Sequence, residues 1–187
     1  HRPGLRFVGA NDGGSSTGFL LALAKELYKR PRRDAVWLMF LDGEESIRGW
    51  SDNDHTYGSR HQVQQWSHEG VLGHIKALIN VDMIGDVDLE LVYEGYSTRW
   101  LRDLVRDTGL SLGYRRVFGC RTLYYIEDDH RPFLAAGVPA VDLIDFNYGP
   151  DNRYWHTEED TLDKLSAQSF AVMMHVVMSV VKRLEQR

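Results

Sequence analysis

Apolar positions fall along this chain in two distinct periods. Continuous apolar runs occupy residues 35–41 (AVWLMFL), 76–83 (KALINVDM) and 139–144 (PAVDLI). Their length and lack of alternation predict strands buried on both faces. Shorter runs at 5–9 and 89–93 add two strand candidates, and a weaker one at 114–118 sits within a loop spanning 109–119. Between them the period lengthens to that of a helix. Residues 16–28 place Leu20, Leu23, Ala24 and Leu27 on one face, and 98–107 turn Trp100, Leu101, Leu104 and Val105 inward. Further helices are predicted over 59–67, over 131–136 with Pro132 in the first turn and Gly137 as the stop, and over 166–184. Strands alternating with helices imply an α/β architecture, a mostly parallel sheet covered on both faces.

The polar residues that punctuate this pattern carry the candidate chemistry. Glu44 and Glu45 follow the 35–41 run directly, at the carboxyl end of the expected strand, where open α/β sheets bind ligands. Alone, such a pair reads as two solvated carboxylates in a turn. Asp12 stands between a strand end and a helix start and fits a helix N-cap. Asp82 is costlier to explain away, because a charge near the end of a mostly apolar strand needs a partner. Asp128 lies in the acidic patch 127–129, where Asp129 suits the cap of the following helix. His156 follows Trp155 in the loop after the 139–144 strand. Asp12, Glu45, Asp82, Asp128 and His156 all fall at one predicted sheet edge or in loops from it. A carboxylate–carboxylate–histidine set there is a plausible zinc site with a fourth position open. His55, His61, His68 and His74 are expected at the surface, and His175 in helix packing.

Composition narrows the classes. The chain has 187 residues, 43% of them hydrophobic, enough for one domain spanning 1–187 with a sizeable core. A net charge of −5 gives no reason to expect nucleic acid or an anionic membrane as partner. The basic cluster 29–33 falls at a helix end, where cations are ordinary. One cysteine, Cys120, excludes an internal disulfide and a cysteine-based metal site. No run reaches the roughly 20 apolar residues of a membrane span. The turn 10–18 lacks the features of a phosphate-binding loop, and no GxGxxG occurs. The chain opens as if mid-domain, so strands ahead of residue 5 are expected to be missing.

Six segments, in order, carry a resemblance: GANDGG (9–14), FLDGEES (40–46), YGSRH (57–61), NVDMIG (80–85), DDHRPFLAAGVP (128–139) and YWHT (154–157). Together they resemble the zinc exopeptidase superfamily from residue 9 to about 165. The glutaminyl-peptide cyclotransferases (glutaminyl cyclases) look closest, through the tryptophan between DGEE and YGSRH and the tryptophan before the zinc histidine. Bacterial zinc aminopeptidases come next. The resemblance implies a three-layer α/β/α sandwich with a mostly parallel mixed sheet, of the phosphorylase/hydrolase-like kind. It implies one zinc held by Asp12, Glu45 and His156, with Glu44 as general acid/base and Asp82 and Asp128 as hydrogen-bonded carboxylates beside it. Trp50 and Trp155 become pocket walls, and Glu127 lies where animal cyclases carry glutamine, so its charge bears on substrate preference. The implied reaction closes the N-terminal glutamine of a peptide to pyroglutamate, releasing ammonia, and the implied location is secreted or periplasmic.

Two other readings stay open at this level. In a two-zinc aminopeptidase, Asp12 bridges the metals, Asp82 binds the second with a histidine from a segment ahead of residue 9, and Glu44 activates water. The third is a non-catalytic binding domain on the same scaffold.

Overall fold

The structure is a computed structural model describing residues 7–51 and 53–187. Two parallel strands form its centre. β1 (Leu78–Asp82) pairs with β4 (Ala140–Ile144) in the register Leu78↔Ala140 to Asp82↔Ile144. A shorter parallel pair, β2 (Tyr93–Glu94) with β3 (Leu123–Tyr124), is joined to β4 by the Val92 N–H donating to the Ile144 carbonyl. Helices cover both faces. α1 (Gly14–Tyr28), α3 (Arg99–Ser111) and α6 (Ala167–Leu184) pack together on one side, and α2 (Tyr57–His68) with α5 (His130–Ala135) on the other. This is the expected three-layer arrangement.

β4 is buried at all five residues because helices cover both its faces, and the main core gathers there around Leu101, Val105, Val141, Leu143, Met173 and Val176. The long amphipathic helix α6 starts where Ser166 Oγ accepts the Gln168 N–H, an ordinary serine cap, and buries Val172, Met173, Val176, Val177 and Val180. Apolar burial of this kind is the main favourable term in the fold.

Three expectations fail. Residues 35–41 are extended but make no ladder hydrogen bonds among the described residues, and Trp37 and Phe40 are exposed. A cavity of about 840 Å³, lined by Val36 and Leu38 on one wall and Ile79 and Val81 on another, keeps this stretch from β1. An extended segment without a neighbour cannot be a sheet strand, whatever its β propensity. Residues 114–118, expected as weak strand, hold a short helix, α4 (Arg115–Phe118), which packs on α3 and buries Val117 and Phe118. Of the candidate strand 5–9, residues 5 and 6 lie outside the described residues, and 7–9 form none. No described helix is long and apolar enough to cross a membrane.

Candidate metal centre and carboxylate cluster

The site is assembled from loops at the carboxyl ends of the central strands. The first, residues 9–13, closes on itself through the Gly14 N–H donating to the Gly9 carbonyl. Gly9 has φ +63, and a Cβ there would lie 2.8 Å from the Asp12 carbonyl, so only glycine fits. The second, residues 42–45, is held by the start of α2. Backbone N–H groups of Thr56, Tyr57 and Gly58 donate to the carbonyls of Glu44, Gly43 and Asp42. The third carries His156, whose φ of +55 is a left-handed conformation that a non-glycine residue holds at some cost.

These loops bring Asp12, Glu45 and His156 together. His156 Nε2 lies 3.1 Å from Asp12 Oδ2 and 2.5 Å from Glu45 Oε1. All three donor atoms fall within 4.8 Å of one another, as ligands of one four-coordinate ion do. The side chains of Glu45 and His156 are 52% and 40% exposed, which leaves an approach for a further ligand. Without a cation the histidine supplies the positive charge. Hydrogen bonds to Asp12 and then Glu45 raise its pKa to about 10. A proton held this tightly between two carboxylates marks a place that suits a cation, and the donor set fits zinc.

Glu44 turns toward the interior. Burial, then the negative charges of Asp128, Glu45, Asp129 and Asp12, push its pKa up to about 9, so it holds a proton at neutral pH. Asp82, at the end of β1, is raised by burial and by Asp128, Asp12 and Glu44. Burial likewise raises Asp128. The two do not carry full charge together.

Behind them lies a buried network that the pattern of the chain did not single out. Asn80 Nδ2 donates to Asp128 Oδ2 at 2.7 Å and to Asp142 Oδ1 at 3.0 Å. His130 sits between Asp142 (3.8 Å) and Glu94 (3.4 Å), all fully buried. Burial alone would raise Glu94, but hydrogen bonds from His130, the Tyr96 N–H and Ser97 outweigh it and hold it at about 2. By distance Asp128, His130 and Asp142 could also gather round an ion, although Asn80 already occupies oxygens of both carboxylates. Asp142 could have been suspected, since it breaks the apolar run 139–144 as Asp82 breaks its own. His130 lies in the segment 128–139 that carries the resemblance, which implies no role for it, and Glu94 had no signal.

Several individual readings change. Asp12 does not cap α1: the N-cap position is Gly13, with no side-chain cap, and the Asp12 carboxylate faces His156 instead. Asp129 stands at the N-cap of α5 without capping it, because its Oδ1 accepts the Ser59 hydroxyl at 2.6 Å. His55 is buried, not at the surface, stacked on Trp50 with ring centroids 4.5 Å apart. His61, His68 and His74 are exposed as expected. His175 is exposed too, hydrogen-bonded to Tyr114 rather than packed in the core. Trp155 stacks on His156 at 4.0 Å, directly at the donor set. Glu127 pairs with Arg131 at 3.1 Å, and that guanidinium lies over the Tyr96 ring.

Known proteins are similar to this chain in sequence and fold. A glutaminyl-peptide cyclotransferase of Drosophila melanogaster is 29% identical over 94% of this chain and 56% of its own length. One from Boiga irregularis is 31% identical over 91% of this chain and 55% of its own. The crystal structure of an Acidobacteriales bacterium glutaminyl cyclase superposes with a TM-score of 0.94 at 40% identity, over 98% of this chain and 64% of that one. The chain thus spans about half the length of the curated relatives it matches. The family model of peptidase family M28 matches residues 1–181, and the chain belongs to that family.

Proposed function

We propose that the protein is a zinc-dependent glutaminyl-peptide cyclotransferase that converts the N-terminal glutamine of a peptide to pyroglutamate and releases ammonia. Asp12, Glu45 and His156 hold one zinc ion. Bound there, zinc supplies a Lewis acid for the oxygen of the glutamine side-chain carboxamide.

The chain's own residues do the rest. The substrate's α-amine attacks the carboxamide carbon of the same residue, forming the ring C–N bond and breaking the bond to the departing nitrogen. Because both reacting groups belong to one residue, much of the gain comes from folding that side chain into the ring geometry. The Trp155 indole, stacked on His156, offers a flat wall for the folded chain. Trp50 forms a second wall, steadied by its stack on His55. Glu44 takes the proton from the amine and returns it to the leaving ammonia. A nearby cation favours the carboxylate of Glu44, drawing its pKa down from about 9 toward the working range. Asp82 and Asp128 keep a proton close to Glu44, and the charge of Glu127, paired with Arg131, bears on substrate preference.

The observation that carries the reading is a solvent-open donor triad with an indole stacked on its histidine and a glutamate of raised pKa close by. The 40% identity to a glutaminyl cyclase supports it further. Ammonia release from a glutaminyl peptide, compared with amine release from a leucyl anilide, tests it. Ammonia release with one zinc per chain is the expected result. Anilide cleavage with two zincs would replace it by the aminopeptidase reading.

A further inference from the structure

Asp160 belongs to none of the roles above, yet it ties together the two loops that meet at the donor triad. It is completely buried. Its Oδ1 accepts the Asn11 N–H at 2.8 Å and the Tyr148 hydroxyl at 2.8 Å, and its Oδ2 accepts the Asp12 N–H at 3.1 Å. The Ala10 N–H donates to its carbonyl at 3.4 Å. Three consecutive N–H groups of the loop carrying Asp12 therefore end on one residue. The Asp160 N–H in turn donates to the carbonyl of Thr157, the residue next to His156, at 3.2 Å.

We infer that Asp160 is a positioning residue for the metal centre, a buried carboxylate clamp that holds the Asp12 loop and the His156 turn in the geometry zinc requires. A buried carboxylate is tolerated only when its oxygens are well supplied with donors, and charge-assisted hydrogen bonds are the strong ones. Asp160 has three donors, two of them backbone groups that cannot move without moving Asp12. The loop is pinned from its other side as well. The Gly85 N–H donates to Asn11 Oδ1 at 2.8 Å, and Ser15 Oγ donates to the Asn11 carbonyl at 2.6 Å. Asp12 is thus fixed between the end of β1 and Asp160. His156 needs such a frame, because its left-handed backbone persists only where the surroundings enforce it. The charge is essential to the clamp. Replacing one carboxylate oxygen by an amide NH2 would aim a donor at a backbone donor, either that of Asn11 or that of Asp12. The inference rests on the zinc site proposed above and assigns that site a support outside its ligands. Partners behind metal ligands usually tune affinity by about 10–100-fold.

The test measures zinc dissociation constants by competition with a chromophoric chelator, for the wild type and for Asp160→Asn, Tyr148→Phe and His156→Ala. Circular dichroism and the melting midpoint of the metal-free protein are followed alongside. Asp160→Asn is expected to bind zinc about 10–100-fold more weakly while still folded, with the visible spectrum of its cobalt form altered. Tyr148→Phe, which removes one donor and leaves both backbone ones, is expected to lose about two- to five-fold on the same scale. Zinc affinity within twofold of wild type in a folded Asp160→Asn protein overturns the clamp. Should that variant fail to fold, amide exchange in the metal-free wild type decides. Protected Asn11 and Asp12 amides sustain the clamp, and free exchange at both overturns it. A wild type that binds no zinc, or zinc binding that survives His156→Ala, refutes the zinc site itself, so the two failures are distinguishable.

Discussion

Two groups of histidine and carboxylate lie in the same half of this molecule and differ in almost everything except composition. Asp12, Glu45 and His156 meet at the surface, come from loops, and converge on a point that solvent reaches. Asp128, His130 and Asp142 are buried, and Asn80 bridges the two carboxylates. In the first group His156 Nε2 faces Asp12 Oδ2 at 3.1 Å and Glu45 Oε1 at 2.5 Å. In the second, Asn80 takes one oxygen of each carboxylate, Asp142 Oδ2 has no hydrogen-bond partner among the described residues, and the His130 ring nitrogens lie 3.4 Å from Glu94 and 3.8 Å from Asp142. Residue type alone does not set the two groups apart; solvent access to a fourth coordination position does. Glu44 is held protonated first by burial and then by negative charge from both groups, Asp128 on one hand and Glu45 and Asp12 on the other.

The sharpest way to break this contrast is through the adjacent glutamates. Glu44→Gln should lower turnover by about 10²–10⁴-fold with zinc content unchanged, whereas Glu45→Gln should weaken zinc binding. Loss of metal from Glu44→Gln instead would reverse the division of labour between them. The next test exchanges the histidines. His130→Ala removes one partner of a buried set and should cost about 3–5 kcal/mol of stability in denaturant unfolding, with zinc affinity kept by the folded fraction. His156→Ala should lose zinc, and whatever it costs the metal-free fold at neutral pH should shrink as pH rises toward 10. If His130→Ala lost the metal without losing stability, the buried group would be the metal centre.

A third prediction uses pH. Both Glu44 and His156 have raised pKa values in the folded metal-free protein, about 9 and about 10. A raised group gives stability that is fully present below its unfolded value and lost as pH climbs through the folded one. For Glu44 that window runs from about 4.5 to 9, and for His156 from about 6.5 to 10. The metal-free wild type should therefore melt at progressively lower temperature between pH 7 and 10. Glu44→Gln, a neutral mimic of the protonated acid, should flatten the Glu44 part of that fall. An unchanged slope would mean Glu44 is not the proton holder. The smallest effect is expected at Glu127. Glu127→Gln breaks a half-exposed pair with Arg131 and should change stability by less than about 1 kcal/mol. Its larger consequence should appear in KM for peptides that differ at the second residue.

How much of this was legible in the chain depends on the range of the forces involved. Helices α1, α3 and α6 followed from apolar spacing, which is local. The motifs also put the right residue types in the right order. Residues 35–41 misled because a strand is defined by its neighbours, and β1 stands across a cavity from them. Asp12, which alone also fits a cap, is placed with His156 by the resemblance, whereas Asp129 misled because a local cap was the cheaper explanation, while its partner, Ser59, lies 70 positions away. Asp160 and Glu94 were invisible for the same reason, and His130, although inside the segment 128–139, carried no legible role because its partners Glu94 and Asp142 lie elsewhere in the chain.

The sequence by itself determined the order of elements, the family and the stock of carboxylates and histidines at one sheet edge. The resemblance also named Asp12, Glu45 and His156 as one set. Only the tertiary structure shows their donor atoms meeting, raises the pKa of Glu44, and places Asp160 behind Asp12. The physical reason is that burial and charge at a point are sums over segments that the chain keeps far apart until it folds.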